Sequence, residues 1–235
     1  MIKKELVVAK DPRSPISESF RGLRTNLQFM NAAGEKQTIL VTSTFPSEGK
    51  SWTAANIAIA FAQAGKKTCL VDVDMRKGRM YTMFNVMPAP GVSNYLTGVN
   101  IGNKDPKDIL SFLQETELIN LLVLSSGNIP PNPSELLITD KAKNMVEDLK
   151  KNFDVVIFDG TPCELVTDAT IVSRLVDQTI IVAEHNSTKM EDLKKTKKAI
   201  ENAGGKVTGV VLNKVPAVGK KYEYGYYKAN NYKKK

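Results

Sequence analysis

The chain has 235 residues, 42% hydrophobic and 25% charged, the balance of an ordinary globular protein with room for one α/β domain. Its longest apolar run, AANIAIAFA from Ala54, falls far short of the roughly 18 residues of a membrane span, and MIKKELVVAK at the start lacks a signal-peptide core, so a cytoplasmic protein is expected. Two cysteines, Cys69 and Cys163, without metal-ligand spacing, and a lone histidine, His185, argue against zinc chemistry and histidine-based nucleophilic catalysis.

The net charge of +8 is uneven: Lys220–Lys235 holds six lysines against one acid, Glu223. The rest is close to balanced. That pattern describes a domain with a basic tail, with no specific nucleic-acid partner expected. The domain is placed at 1–219 and the tail at 220–235.

In chain order, the first element is a helix in SPISESFRGLRTNLQFM, inside an N-terminal portion spanning 1–34. Ser14 suits an N-cap and Pro15 the first helical position. Ile16, Phe20, Leu23, Leu27 and Met30 step by four and three along one face that should pack on the domain. Glu18, Arg21 and Arg24 step by three along a second face. On spacing alone they read as a solvated face with intrahelical pairs.

Six continuous apolar runs follow: TILVTS from Thr38, TCLVDVD from Thr68, NLLVLSS from Asn120, DVVIFDG from Asp154, QTIIVAE from Gln178 and VTGVVLN from Val207. Such runs mark strands buried on both faces. Helices are expected over Lys50–Ala64, Asp105–Glu115, Ser134–Lys151, Asp168–Val176 and Lys189–Ala203. The alternation implies a doubly wound, mostly parallel sheet flanked by helices, a P-loop NTPase fold, with ligands at the carboxyl ends of the strands. The last segment, GKKYEYGYYKANNYKKK, has no periodicity and reads as a flexible tail.

The phosphate site falls at TSTFPSEGKSW. Gly49, Lys50 and Ser51 lie between a strand and an apolar helix, the context of a Walker A loop. Backbone N–H groups from Ser47 through Glu48 to Trp52 should cradle phosphates, Lys50 should reach the β- and γ-phosphates, and Ser51 should bind Mg²⁺. The usual first glycine is Thr44 here. Asp72 and Asp74 close one strand, on the same face by alternation, and Asp159 closes another. With Ser51, Asp72 and Asp159 make a set of oxygens suited to Mg²⁺, which takes few protein ligands.

FPSEGKS, LVDVDMR and VVIFDGTP together resemble the three Walker elements of bacterial tyrosine kinases, the BY-kinases, of the capsular and exopolysaccharide CpsD/CapB-like type. SPISESFRGLRTNL, PGVSNYLTG, GNIPPNPSELL, TDA at Thr167 and GVVLNK extend the likeness over essentially the whole chain. The resemblance implies an Mg-ATP-dependent protein-tyrosine kinase that regulates polysaccharide synthesis and export. Its own C-terminal tyrosines are the substrate; here these are Tyr222, Tyr224, Tyr226, Tyr227 and Tyr232, five of the seven tyrosines in the chain. It further implies that Glu18, Arg21 and Arg24 join subunits into a ring in which one tail enters the neighbouring site, reversing the spacing-only reading.

A membrane-embedded activator on a separate chain, with its cytoplasmic segment recruiting the kinase to the inner face of the membrane, and a cognate tyrosine phosphatase complete the expected partners. Asp74 is expected to orient or deprotonate the phenol, Arg76 to assist, and Asn213 to lie where related ATPases contact adenine. Phe45 stands where partition ATPases carry a lysine, and Trp52 where a small hydroxyl residue is usual. A partition-type ATPase switch and a nonenzymatic binder of anionic polymers through the basic tail are the competing readings.

Overall fold

The computed structural model describes residues 6–30, 35–98 and 108–216. The tail tyrosines Tyr222, Tyr224, Tyr226, Tyr227 and Tyr232 lie outside the described residues.

Seven strands form one sheet: β1 (Gln37–Ser43), β2 (Thr68–Asp72), β3 (Gln114–Glu115), β4 (Leu121–Leu124), β5 (Val155–Pro162), β6 (Gln178–Glu184) and β7 (Val207–Asn213). Their order is β3-β4-β2-β5-β1-β6-β7, and every pairing is parallel except β3 with β4. All six expected strands are present because their unbroken Val, Ile and Leu runs can be buried on both faces. The edge strand β7 departs from this: Val210 and Leu212 are 47% and 55% exposed.

The helices are α1 (Val7–Lys10), α2 (Pro15–Phe29), α3 (Lys50–Gln63), α4 (Met80–Phe84), α5 (Val92–Thr97), α6 (Pro133–Ile138), α7 (Asp140–Asn152), α8 (Asp168–Ser173) and α9 (Met190–Asn202). Helix α3 is apolar almost all round, with ten consecutive buried residues from Thr53 to Ala62. It lies between the sheet and the pair α1–α2, in a core that includes Ile39, Val41, Leu70, Ile157 and Phe20. A second core on the other face joins Leu40, Val71 and Phe158 to α5, α7 and α8.

Helix α2 begins as its sequence indicates: the Ser14 side chain accepts from Ser17 N–H and Pro15 is the first helical residue. Its apolar stripe is shorter than expected. Phe20 and Leu27 are buried and Leu23 packs beside them, but Ile16 and Met30 at the two ends stay half exposed.

Two helical expectations are corrected. Ser134–Lys151 is two helices, α6 and α7, because Thr139 adopts an extended conformation and its hydroxyl caps α7 by accepting from Ala142 N–H. The stretch expected as a helix over Asp105–Glu115 is, from Asp108 onward, a 3₁₀ turn (Ile109–Phe112) followed by β3. Ile109 and Phe112 are both buried and three apart, which a three-residue turn aligns. Gln114 then bonds both backbone groups of Met87, and Gln114–Glu115 pairs with β4.

Asp177 fastens the base of β1, whose other end carries the phosphate loop. Its carboxylate accepts from Thr38 N–H (2.8 Å), Thr38 Oγ1 (2.9 Å) and Lys150 Nζ (2.6 Å). Burial works against its charge, but Lys150 and Thr38 outweigh burial and hold the carboxyl below its ordinary range. A depressed carboxylate stabilises the fold above its unfolded pKa, and that contribution is lost as pH falls through the folded value. Asp177→Asn should therefore cost about 1 kcal/mol at pH 7. It should also unfold less steeply on acidification than the wild type, as read by urea titrations between pH 7 and pH 3.

Candidate active site

The carboxyl ends of β1, β2 and β5 lie side by side, and the sheet register makes Asp72 and Asp159 direct partners on neighbouring parallel strands. Same-register residues point to the same face, so the two carboxylates share one side of the sheet. Asp159 lies inside β5, which continues to Pro162, and not at its end. Strand β2 ends at Asp72, so Asp74 reaches the site from the following turn and not by strand alternation.

The loop from β1 to α3 has two left-handed residues, Ser47 (φ 67°) and Gly49 (φ 99°). Alternating backbone handedness turns successive N–H groups toward one point, an anion nest at the positive end of α3. The first turn of α3 carries no acid to compete with a phosphate. Gly49 has a steric reason as well: a Cβ there would stand 2.0 Å from Asn213 Nδ2.

Lys50 Nζ lies 3.3 Å from Asp74 Oδ2, 3.4 Å from Asp159 Oδ1 and 3.2 Å from Ser51 Oγ. Burial pulls its pKa down, but the charges of Asp159, Asp74 and Asp72 more than offset that, and the ammonium is held above its ordinary range. Burial and then the Asp159 charge push Asp72 up to about 7. Burial raises Asp159 against the opposing pull of Lys50 and Ser51. Asp159 Oδ2 is buried with no hydrogen-bond partner, a costly arrangement for a carboxylate oxygen. An orphaned hard oxygen beside the Ser51 hydroxyl fits Mg²⁺, which keeps most of its shell as water and nucleotide oxygens. Asp72 stands behind this pair: its carboxylate accepts backbone N–H bonds from Asp74, Arg79 and Met80 and is fully buried.

The cleft above these groups encloses roughly 600 Å³ and is lined by Lys50, Ser51, Trp52, Asp74, Thr161, Pro162 and Leu165 among others. Arg76 is on its wall, but its guanidinium is held by the buried Asp168 (3.1 Å) and by Ser134 Oγ (3.3 Å), and Ser134 in turn donates to Asp168. Asp168 and Ser134 escaped the residue-level reading. Both lie in stretches, TDA and PPNPSELL, whose chemistry shows only when the chain brings them to Arg76.

The side chains of two further residues expected at the nucleotide brace the loop. Glu48 is buried; one carboxylate oxygen accepts from Phe45 N–H (2.7 Å) and the other from the Thr188 hydroxyl. Asn213 Nδ2 donates to the Glu48 carbonyl at 2.8 Å, tying the loop to the end of β7. Thr188 had no sequence signal at all. Trp52 packs edge-to-face on Phe20 of α2, centroids 5.1 Å apart. Glu18 and Arg21 form the intrahelical pair (2.7 Å), while Arg24 points to α3 and donates to the Ala60 carbonyl at 3.3 Å.

A mostly parallel sheet, a nest at the head of a buried helix and a lysine facing acids from β5 and the turn after β2 define a P-loop nucleotide-binding protein. Residues 39–231 match the CobQ/CobB/MinD/ParA nucleotide binding domain. The chain is 38% identical to a putative tyrosine-protein kinase CapB of Staphylococcus aureus over 94% of each chain. It is 36% identical to the tyrosine-protein kinase CpsD of Streptococcus agalactiae over the full length of both. The crystal structure of the chimerical protein CapA2B2 superposes with a TM-score of 0.83 at 40% identity, covering 92% of this chain and 93% of that one. The chain belongs to the bacterial tyrosine-protein kinases within this nucleotide-binding family. Among the described residues no helix is long and apolar enough to cross a membrane.

Glu48→Ala should loosen the loop while sparing the core. The expected result is about a tenfold weaker affinity for a fluorescent ATP analogue, with cooperative thermal unfolding retained. Wild-type affinity in the variant would remove Glu48 from the positioning of the loop.

Proposed function

We propose that this kinase transfers the γ-phosphoryl group of ATP to the tyrosines of its own C-terminal cluster, Tyr222, Tyr224, Tyr226, Tyr227 and Tyr232, on a neighbouring copy. The observation that carries the proposal is the Lys50 ammonium, within 3.4 Å of both Asp74 and Asp159 at the floor of an open cleft. A cation there can follow negative charge as it develops on the transferred group.

The backbone N–H groups of Ser47 to Trp52 hold the phosphates. Mg²⁺, held by Ser51 and Asp159 with Asp72 behind them, would neutralise phosphate charge. Asp74 is fixed by its other oxygen, which accepts from Arg76 N–H (3.3 Å) and Lys77 N–H (2.9 Å). Its Oδ2, which faces Lys50 Nζ at 3.3 Å, would orient the phenol and take its proton. The phenolic oxygen bonds to the γ-phosphorus, the bond to the β–γ bridging oxygen breaks, and ADP leaves. A phenol with a pKa near 10 gains from such a positioned base. Arg76, kept by Asp168 on the cleft wall, serves as an orienting cation there. Asn213, besides bracing the loop, would contact the adenine.

The same reading joins subunits through the α2 face bearing Glu18, Arg21 and Arg24. It places the enzyme at the inner membrane face through the cytoplasmic segment of a membrane-embedded activator, and sets it to regulate capsular or exopolysaccharide synthesis and export. A cognate phosphatase would reverse the modification. Five phosphotyrosines would add about −1.5 to −2 charge each, enough to invert the tail's excess of lysine. Phe45, in place of a loop lysine, leaves a nucleotide-sandwich switch without its intersubunit cation.

The test is mass spectrometry of the tail after incubation with Mg-ATP, with and without the activator's cytoplasmic segment. Wild type should accumulate phosphate on the tail tyrosines, and Lys50→Met should lose at least about 100-fold in rate. A tail free of phosphate under both conditions would sink the proposal.

A further inference from the structure

Arg76, Lys77 and Arg79 follow one another on the turn between β2 and α4, all exposed and all lining the cleft mouth. The turn is fixed from below. Asp74 accepts the backbone N–H groups of Arg76 and Lys77, and Asp72 Oδ2 accepts those of Arg79 (2.8 Å) and Met80 (3.0 Å). Between them Gly78 lies so close to the sheet that a Cβ would stand 2.2 Å from Ser126 Oγ and 2.8 Å from Asp72 Oδ2. This backbone holds the base of each side chain in place.

The three cations are not equivalent. Arg76 is engaged by Asp168 and Ser134. Lys77 and Arg79 form no ion pair among the described residues. The sole acid lining the described cleft is Asp74, whose carboxylate faces Lys50. The rim therefore presents two unneutralised positive charges on a rigid mount, beside the group that receives the phenol proton. Such a rim favours an anion next to the reacting tyrosine and disfavours a lysine there.

Building on the tail-acceptor reading above, we propose that Lys77 and Arg79 select tyrosines flanked by an acidic or already phosphorylated residue. In this chain Glu223 stands between Tyr222 and Tyr224, whereas Tyr232 precedes Lys233, Lys234 and Lys235. Tyr222 and Tyr224 are then modified first and Tyr232 last. Each transferred phosphate adds about −1.5 to −2 charge beside the tyrosines that remain, so early transfers improve Tyr226 and Tyr227 as acceptors.

The test uses the full chain with Mg-ATP, the activator's cytoplasmic segment and two synthetic peptides spanning 220–228, one with Glu223 and one with Glu223→Lys. The Glu223 peptide should show about five-fold higher kcat/KM, the size expected of two exposed charge pairs. The gap should shrink at about 0.5 M salt. Lys77→Glu/Arg79→Glu should reverse the preference, a gain on the lysine peptide that a merely structural role would not produce. Lys77→Gln/Arg79→Gln, with no charge added, should erase it. Equal kcat/KM for the two peptides in the wild type, or a preference unchanged in both variants, overturns the proposal. Phosphorylation of neither peptide overturns it together with the tail-acceptor reading, and so separates the two failures.

Discussion

One ammonium among three buried carboxylates is the constraint on which the site depends. Lys50 reaches Asp74 and Asp159 directly and is pulled on by Asp72 from behind. A single positive charge does not balance three negative ones in a buried floor. Burial first, and then the crowding of like charges, raises the pKa of Asp72 and Asp159, and one Asp159 oxygen is left with no partner. Such a floor calls for additional positive charge, and a divalent cation arriving with nucleotide supplies it. The same excess keeps Lys50 protonated in a place where burial alone would favour its neutral form.

The sheet order turns this chemical demand into geometry. Strand β5 lies between β1 and β2, so the acid on β5 stands between the loop from β1 and the acids at and just after the end of β2. The register pairing of Asp72 with Asp159 fixes both carboxylates on one face. Asp177, at the opposite end of β1, and Glu48 with Asn213, at the loop itself, hold the strand and the loop from both ends.

The strands and the loop were legible in the sequence because their signals are local. Continuous apolar runs gave all six long strands, and Gly49-Lys50-Ser51 before an apolar helix gave the loop. The failures came where a distant partner decides. Nothing in Ser134–Lys151 announces the break at Thr139, since Thr is tolerated inside helices and its hydroxyl becomes a cap only once α6 turns away. β3 is two residues long and exists because β4 offers it an edge. In the site, Lys50, Ser51, Asp74 and Asp159 come together as their motifs indicate. The bracing by the Glu48 and Asn213 side chains, and the parts of Asp168, Ser134 and Thr188, emerge only through contacts spanning 34 to 165 residues of chain. Motif spacing locates groups that face the ligand; it carries little about the groups that hold them there.

The edge-to-face contact of Phe20 with Trp52 has a practical consequence. Trp52 is the chain's one tryptophan, and it touches α2 on one side and lines the cleft on the other. Its emission is therefore a native optical signal with no second tryptophan to obscure it. Occupancy of the cleft and displacement of α2 both alter the surroundings of that single indole. The unlabelled protein thus carries its own reporter of whether those two events occur together.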